Sequence, residues 1–376
     1  MPLPNFTPQR ILISNIRLIG DVILTSPLVD LLKKQWPEVK IDFLANRGTG
    51  EFLESDPRIH SVIFNEKKGA PSRGPHYLKR IFRQYDIAIN LNASERGNVA
   101  VALAGKKLRL GYRDPEHRLK SLVWGKLFTH HLEVPSGHIV LRCAQIAEAL
   151  GIEVDRLAVS VPFSAQDREK VVEVLREEKC SGDYFVLHPF ARWEYKYWTS
   201  EGFAACSDFV AKKYDWRPIW TSSPEPKEMA ILREASKLCQ VRPTLLPGRL
   251  SMAQMSFLLS GARFYLGLDT AISHMAATYS PRVPMVALYG PTQIKIWHPW
   301  NNAGTKAEQL KAYRGIQRNG NIVTVQSEKP CVPCGLANCD DSGHGKSPCL
   351  QEIRGEEVLR AIQMTLGATT ENMAGA

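Results

Sequence analysis

RILISNIRLIGD, residues 10–21, is the stretch from which the architecture of this chain can be read. Ile11, Leu12, Ile13 and Ile16 form a nearly continuous apolar run, which suits a strand buried on both faces of a parallel sheet, and the run ends at Gly20. From Val22 to Gln35 the apolar residues (Val22, Ile23, Leu24, Leu28, Val29, Leu31, Leu32) fall at helical spacing, and VKIDFLAN, residues 39–46, supplies the next strand. A strand, loop, helix and strand in that order open an α/β sheet. HSVIFN (60–65) and YDIAINLN (85–92) read as further strands, each separated by enough chain for a crossover helix.

The same grammar restarts near residue 160. DYFVLHPF (183–190) is followed by a helix over Glu201 to Tyr214, the strand RPIWTSS (217–223), a helix over Pro226 to Leu238, and the strands ARFYLGLD (262–269) and PMVALYG (284–290). Between the halves, HIVLRCAQIAEALG (138–151) reads as a helix stopped by glycine, and LAVSVPFSAQD (157–167) as a connection. EEVLRAIQMTLG (356–367) is one more amphipathic helix. The expected organisation is a Rossmann-like domain over 1–158, a second over 159–354, and a C-terminal helix and tail over 355–376. Open α/β sheets bind ligands beyond the carboxyl ends of their strands, so two facing domains are expected to place the chemistry in an interdomain cleft.

A chain of 376 residues is comfortable for two such cores, and 44% hydrophobic with 23% charged residues excludes disordered or collagen-like classes. No apolar run approaches the ~20 residues needed to cross a bilayer. MPLPNFTPQR lacks the apolar core of a secretory signal, so the expected location is cytoplasmic. Charge is uneven: residues 1–160 hold 23 Lys and Arg against 16 Asp and Glu, which makes the first half the basic one and suits a polyanionic partner or a merely soluble face. A nucleic-acid partner is not expected, because neither a basic-aromatic stripe nor a recognition helix is present.

Three places carry residues suited to chemistry. Asp21 follows Gly20 where the first strand gives way to a helix; an aspartate there either caps the helix or takes the proton of an attacking hydroxyl, and position alone leaves both open. The loop Arg17 to Asp21 has neither GxGxxG nor a Gly-Lys-Ser/Thr ending, which excludes a typical dinucleotide or triphosphate cradle. ARWEYKYW (191–198) sets Arg192 and Lys196 just beyond a strand, where two cations suit a departing diphosphate or stand as a solvated turn. LGLDTAISHMAA (266–277) with the turn Gly290, Pro291, Thr292 is the densest: Asp269, Thr270 and Ser273 lie where a strand meets a helix whose first N–H groups can hold phosphate oxygens, and the short side chain of Ala271 keeps that backbone accessible. His274 reads either as a polar contact or as a structural histidine.

Together these motifs resemble glycosyltransferase family 9, the lipopolysaccharide heptosyltransferases, which have the GT-B arrangement of two facing Rossmann-like domains. The resemblance runs from about Ile11 to Leu366 and is carried by IRLIGDVILTSPLVDLLKKQWP (16–37), LHPFARWEYKYW (187–198) and LGLDTAISHMAATYSPRVPMVALYGPT (266–292). HRLKSLVWGKLFTHHLEVPSGHIV (117–140) and IKIWHPW (294–300) are most similar to the heptosyltransferase III branch, with type I or II transfer as the alternative.

The resemblance implies an inverting transfer of heptose from ADP-heptose to the inner core of lipopolysaccharide, with Asp21 as base, Lys196 at the diphosphate and Asp269 at the heptose hydroxyls. It places Thr270, Ala271, Ile272 and His274 in the phosphate-binding turn, although many members have Gly where this chain has Ala271. Ala191 and Arg192 stand where some relatives carry two threonines. Glu225 or Glu228 is the expected ribose or adenosine contact, and Leu250 a further donor contact. A phosphorylated glycolipid acceptor gives the basic half a use: Arg17, Lys67, Lys68, Lys79, Arg80, Arg113, Arg118 and Lys120 are the candidate acceptor contacts, with peripheral attachment at the cytoplasmic face of the inner membrane. No cofactor or catalytic metal is expected. Cys331, Cys334, Cys339 and Cys349 form C-x2-C-x4-C-x9-C, which suits a structural zinc site, free thiols or disulfides. The reading of another class is a non-catalytic sugar-nucleotide or nucleic-acid-binding protein.

Overall fold

A computed structural model of the chain describes residues 4–66, 77–92, 94–113, 118–280, 282–304, 309 and 313–373, with backbone alone at 118–121 and 368–373. The chain divides into two compact units, Met1–Pro162 and Phe163–Ala376. Among the described residues no helix is long and apolar enough to cross a membrane.

The first unit runs β1 (Arg10–Ser14), α1 (Ile19–Ile23), α2 (Ser26–Gln35), β2 (Lys40–Asn46), β3 (Ser61–Asn65), α3 (Tyr77–Ile81) and β4 (Tyr85–Asn90). It continues through α4 (Glu95–Ala104), β5 (Gly105–Tyr112), α5 (Arg118–Leu127), β6 (His130–Leu132) and α6 (Leu141–Ala149). The six strands lie in the order β3-β2-β1-β4-β5-β6, all parallel. That order reverses direction between β1 and β4, which makes a topological switch point at their carboxyl ends. Ile11, Leu12 and Ile13 are completely buried, as their apolar run requires.

The single helix expected over 22–35 is two. Pro27 lies at the start of α2, where its missing N–H costs nothing; inside a continuous helix its ring would strike the carbonyl of Ile23. Ser26 Oγ instead donates to that carbonyl at 2.8 Å, and the break leaves α1 as a separate short turn carrying Asp21. One buried charge anchors the sheet: Asp42 accepts from Arg10 Nη2 at 2.7 Å and Tyr85 OH at 2.8 Å and lies 2.8 Å from His60 Nδ1.

The second unit runs α7 (Ala165–Glu177), β7 (Tyr184–His188), α8 (Ser200–Tyr214), β8 (Arg217–Ser222), α9 (Pro226–Ser236), β9 (Thr244–Pro247) and α10 (Met252–Ser260). It continues through β10 (Tyr265–Leu268), α11 (Ala271–Ala277), β11 (Met285–Tyr289), α12 (Ile294–Trp297), β12 (Gly315–Asn319), β13 (Ile322–Gln326), α13 (Pro348–Gln351) and α14 (Gly355–Met373). Ser164 caps α7 in a full capping box with Asp167, so the last residues of the expected connection belong to a helix. The sheet order is β12-β13-β11-β10-β7-β8-β9, with only β12 antiparallel. Without β12, this repeats the order of the first unit, and its switch point lies between β7 and β10. Val358, Ala361, Ile362 and Leu366 of α14 are buried in the core of this unit.

Candidate active site

At the first switch point the strands end in asparagines. Asn15, after β1, donates from Nδ2 to the Asp21 carbonyl at 2.9 Å and to Thr25 Oγ1 at 2.8 Å, while Asn92, after β4, donates to Asn15 Oδ1 at 3.1 Å. Thr25 Oγ1 donates to the same Asp21 carbonyl at 3.0 Å. Asn90 reaches Asn98 Oδ1 at 2.7 Å, and a Cβ on Gly97 would lie 2.4 Å from the Asn90 oxygen, so only glycine fits there. These buried amides hold α1 by its backbone and leave the Asp21 carboxylate out of the network. That carboxylate lines a small hollow with Asn15, Thr25, Asn92 and Arg142. Burial raises its pKa above the ordinary carboxylate value, partly offset by Arg17, whose Nε is 3.8 Å away, by the Leu18 N–H and by Arg142. The N-cap position belongs to Leu18, not to Asp21.

At the second switch point Lys196 Nζ donates to Asp269 Oδ2 at 2.6 Å, and Thr292 Oγ1 donates to the same oxygen at 2.5 Å. Lys196 comes from the turn 194–196 beyond β7, Asp269 follows β10, and Thr292 follows β11. Burial by itself would raise the Asp269 carboxyl, but the Lys196 charge and the two hydrogen bonds outweigh it and hold the group below its ordinary value. His274, on α11, is buried, its Nδ1 has no hydrogen-bond partner, and burial pushes its pKa down to about 4, so it is neutral. Thr270 is the N-cap of α11 and makes no side-chain cap bond, which leaves the N–H groups of the first turn without that partner. Ser273 turns inward: its Oγ donates to the Leu268 carbonyl at 2.5 Å and meets Tyr265 OH at 2.9 Å. A Cβ on Gly267 would lie 2.1 Å from that tyrosine oxygen, so a glycine in β10 is what lets the phenol reach Ser273.

A family model for glycosyltransferase family 9 (heptosyltransferase) matches residues 76–319. The chain belongs to that family. Lipopolysaccharide heptosyltransferase 3 from Escherichia coli is 29% identical over 297 residues, covering 76% of this chain and 85% of the relative. Among solved structures, a family 9 glycosyltransferase from Veillonella parvula aligns with TM-score 0.73 at 18% identity, covering 95% of this chain and 97% of that one. The E. coli ADP-heptose lps heptosyltransferase II aligns with TM-score 0.69 at 17% identity, covering 96% and 99%. The fold is thus the GT-B class of the heptosyltransferases, with mostly parallel sheets, as the motifs imply.

In this family 9 chain the C-terminal segment braces the second switch point. Trp198 Nε1 donates to the Ile353 carbonyl at 2.9 Å and Gln351 Nε2 to the Tyr197 carbonyl at 2.6 Å, which ties the Lys196 turn to α13. Gln293 Nε2 donates to the Pro333 carbonyl at 3.0 Å and the Gly335 N–H to the Pro291 carbonyl at 2.8 Å, which ties down the turn carrying Thr292. A structural zinc site is one of three states open to the cysteines of this segment, beside free thiols and disulfides. Cys331, Cys334 and Cys339 are exposed thiols and Cys349 is buried at the start of α13, and among the described residues no group of three or more His, Cys, Asp or Glu side chains is arranged to hold a metal ion.

The other expected contacts lie as follows. Arg192 is exposed, with its guanidinium 5.1 Å from the Trp193 ring. Ala271 opens α11, and Ile272 is buried. Glu225 is the exposed N-cap residue of α9, whereas Glu228 accepts from the Ser223 N–H at 3.0 Å. Leu250 is half-buried just before α10. Arg17 stands beside Asp21, and Arg113 pairs with Glu133 at 2.9 Å. Lys79 and Arg80 are exposed on α3. Lys67 and Lys68, and the side chains of Arg118 and Lys120, lie outside the described residues. Sequence reasoning missed Arg142, which reaches the Asp21 hollow from α6, and gave no role to the asparagines at the strand ends.

Proposed function

We propose that this family 9 enzyme transfers a heptose from ADP-heptose to the inner core of lipopolysaccharide, by the heptosyltransferase III type of reaction, at the cytoplasmic face of the membrane. The observation that carries it is the Lys196–Asp269–Thr292 set at the second switch point, where a strand end, a cation and an uncapped helix start suit a nucleotide-linked sugar. Support also comes from the 29% identity to a lipopolysaccharide heptosyltransferase 3.

The acceptor hydroxyl oxygen attacks the anomeric carbon, its proton passes to Asp21, and the bond from that carbon to the diphosphate oxygen breaks with inversion. Asp269, kept anionic by Lys196, accepts hydrogen bonds from heptose hydroxyls. Lys196 and the first N–H groups of α11 offset the charge that grows on departing ADP, and no divalent cation has a part in that step. Thr270, Ala271, Ile272 and His274 form the phosphate turn, with Arg192, Glu225 and Leu250 around the nucleotide. Arg17, Arg113, Arg118 and Lys120 meet the acidic acceptor.

Labelled heptose from ADP-heptose, offered to truncated cores bearing no, one or two heptoses in excess chelator, tests the reading. Transfer only to the core with two heptoses is expected. Transfer to the other cores reassigns the chain to type I or II, and transfer to none of them overturns the proposal.

A further inference from the structure

Residues 67–132 hold fourteen Lys and Arg against four Asp and Glu, an excess equal to the formal net charge of +10 of the whole chain. The rest of the protein is neutral in sum. Within that stretch 77–85, 96–113 and 118–132 contain no acid at all, and they comprise α3, β5 and α5 with their flanks. The three segments meet at one place on the first unit. Arg83 and Arg109 both donate to the Gly105 carbonyl, at 3.5 and 3.2 Å, and Arg109 Nε donates to the Leu127 carbonyl at 2.6 Å.

Apolar side chains stand exposed on this cationic ground. Leu122, Val123 and Phe82 are 68%, 60% and 55% exposed, the largest values for big apolar residues among the described residues, and Leu127 is 45% exposed. On α5 the inward side is taken by Trp124 and Phe128, one turn apart, with Phe128 buried in the core of the unit. Helical spacing then puts Leu122, Val123 and Lys126 on the outward side. A single exposed leucine means nothing, but an aliphatic cluster on ground with so large an excess of cations does, even with Lys107 paired to Asp86 at 3.8 Å and Arg113 to Glu133 at 2.9 Å.

Three kinds of occupant differ in what they would gain from such a face. A second copy of this face would bring like charges together. A nucleic acid would use the cations but gain little from leucine and valine, and the one aromatic ring suited to stacking on α5, Trp124, turns inward. An anionic bilayer uses both: cations sit at the headgroups while aliphatic side chains enter the acyl boundary. We infer that the outward face of α5, with the Phe82 corner and Lys106 and Lys107, docks the protein onto an anionic lipid surface. This rests on the reading that the acceptor is a membrane glycolipid, since such a substrate is met only at the bilayer.

Flotation of the full-length protein with phosphatidylglycerol-containing vesicles, against pure phosphatidylcholine vesicles, tests the assignment. Binding to the anionic vesicles alone is expected, weakening with salt, with slowed amide exchange over 118–132. L122Q/V123Q/L127Q and K106E/K107E/K126E should each lose at least about 10-fold in binding, while transfer to a lipid-free core oligosaccharide stays at the wild-type rate. Wild-type binding by both variants, unchanged exchange over 118–132, or equally tight binding of a short DNA duplex that the glutamine variant retains would overturn it. Vesicle binding as expected without heptose transfer to any core would instead strike the transferase reading and leave the surface in place.

Discussion

The two units share one strand order and differ in what they hold at the reversal. In the first, a buried amide network secures the backbone of α1 and leaves Asp21 with no cation among the described residues closer than Arg17 at 3.8 Å, so burial lifts its carboxyl. In the second, Asp269 has an ammonium at 2.6 Å and a hydroxyl at 2.5 Å on one oxygen, and is held low. The scaffold is the same, and the environment separates the roles. A carboxylate of raised basicity is fit to take a proton, whereas one kept anionic is fit to accept hydrogen bonds from sugar hydroxyls.

The largest effect should come from breaking the first half of that contrast. Asp21→Asn keeps the shape of the hollow and removes the basic oxygen, so the transfer rate is expected to fall by about 10³-fold, while ADP-heptose binding, measured by calorimetry, stays near the wild-type value. Equal transfer by the variant would dismiss Asp21 as base, and lost donor binding would mean it serves the donor instead.

Lys196→Met attacks the other half. It leaves Asp269 buried and unpaired, for which kcat/KM should drop by about 10²-fold and stability by roughly 3 kcal/mol at neutral pH. The sign with pH follows from the lowered carboxyl. The stability that Asp269 contributes in the wild type is present above its unfolded value and lost as pH falls through the folded one, below about pH 4. In the variant the lysine charge and its hydrogen bond are gone and the Thr292 hydroxyl alone still bonds that oxygen, so the carboxyl rises and protonation relieves the folded state as pH falls. Melting temperatures of the two proteins should therefore converge toward acid, and a constant gap from pH 7 to pH 4 would show that the pair is not what the lysine supplied. Lys196→Met/Asp269→Asn should recover stability without activity.

Much of this was legible in the sequence because it is carried by local pattern. The apolar run at Ile11–Ile13, the polar residues at strand ends in LHPFARWEYKYW and LGLDTAISH, and the restart of the pattern near residue 160 each follow from backbone periodicity. What escaped was carried by long-range pairing. Asn15, Asn46, Asn65, Asn90 and Asn92 each sit at the end of a strand, a repeat visible in the sequence, yet only the register of β1 against β4 shows that Asn15 and Asn92 bond each other. Asn65 likewise meets Asn46 Oδ1, at 2.8 Å, across β2 and β3. The break at Pro27 was local and readable, since proline one turn into a helix is an ordinary stop signal. The cysteine spacing leaves zinc, free thiols and disulfides open, and the path of the loop, set in part by hydrogen bonds from Gln293 and Gly335, is long-range information that spacing does not carry.

Arg142 offers the smallest and most discriminating effect. It lies on α6, donates from Nη1 to the Leu91 carbonyl at 3.2 Å, stacks its guanidinium 5.5 Å from the Tyr112 ring, and lowers the Asp21 carboxyl by its charge. The base form of Asp21 is lost as pH falls through its raised pKa, so the acid limb of kcat/KM should lie above the ordinary carboxylate range. Arg142→Met removes one of the opposing charges and should move that limb to higher pH, with the plateau rate little changed, and Arg142→Lys should restore it in part. Arg17 acts in the same direction from a side chain 53% exposed, so its share should fade with added salt while the share of the more enclosed Arg142 persists. A pH profile taken at low and high salt separates the two. A limb unmoved by Arg142→Met at either salt would mean that burial alone sets the basicity of Asp21, and the contrast between the two switch points would then rest on the second unit's lysine.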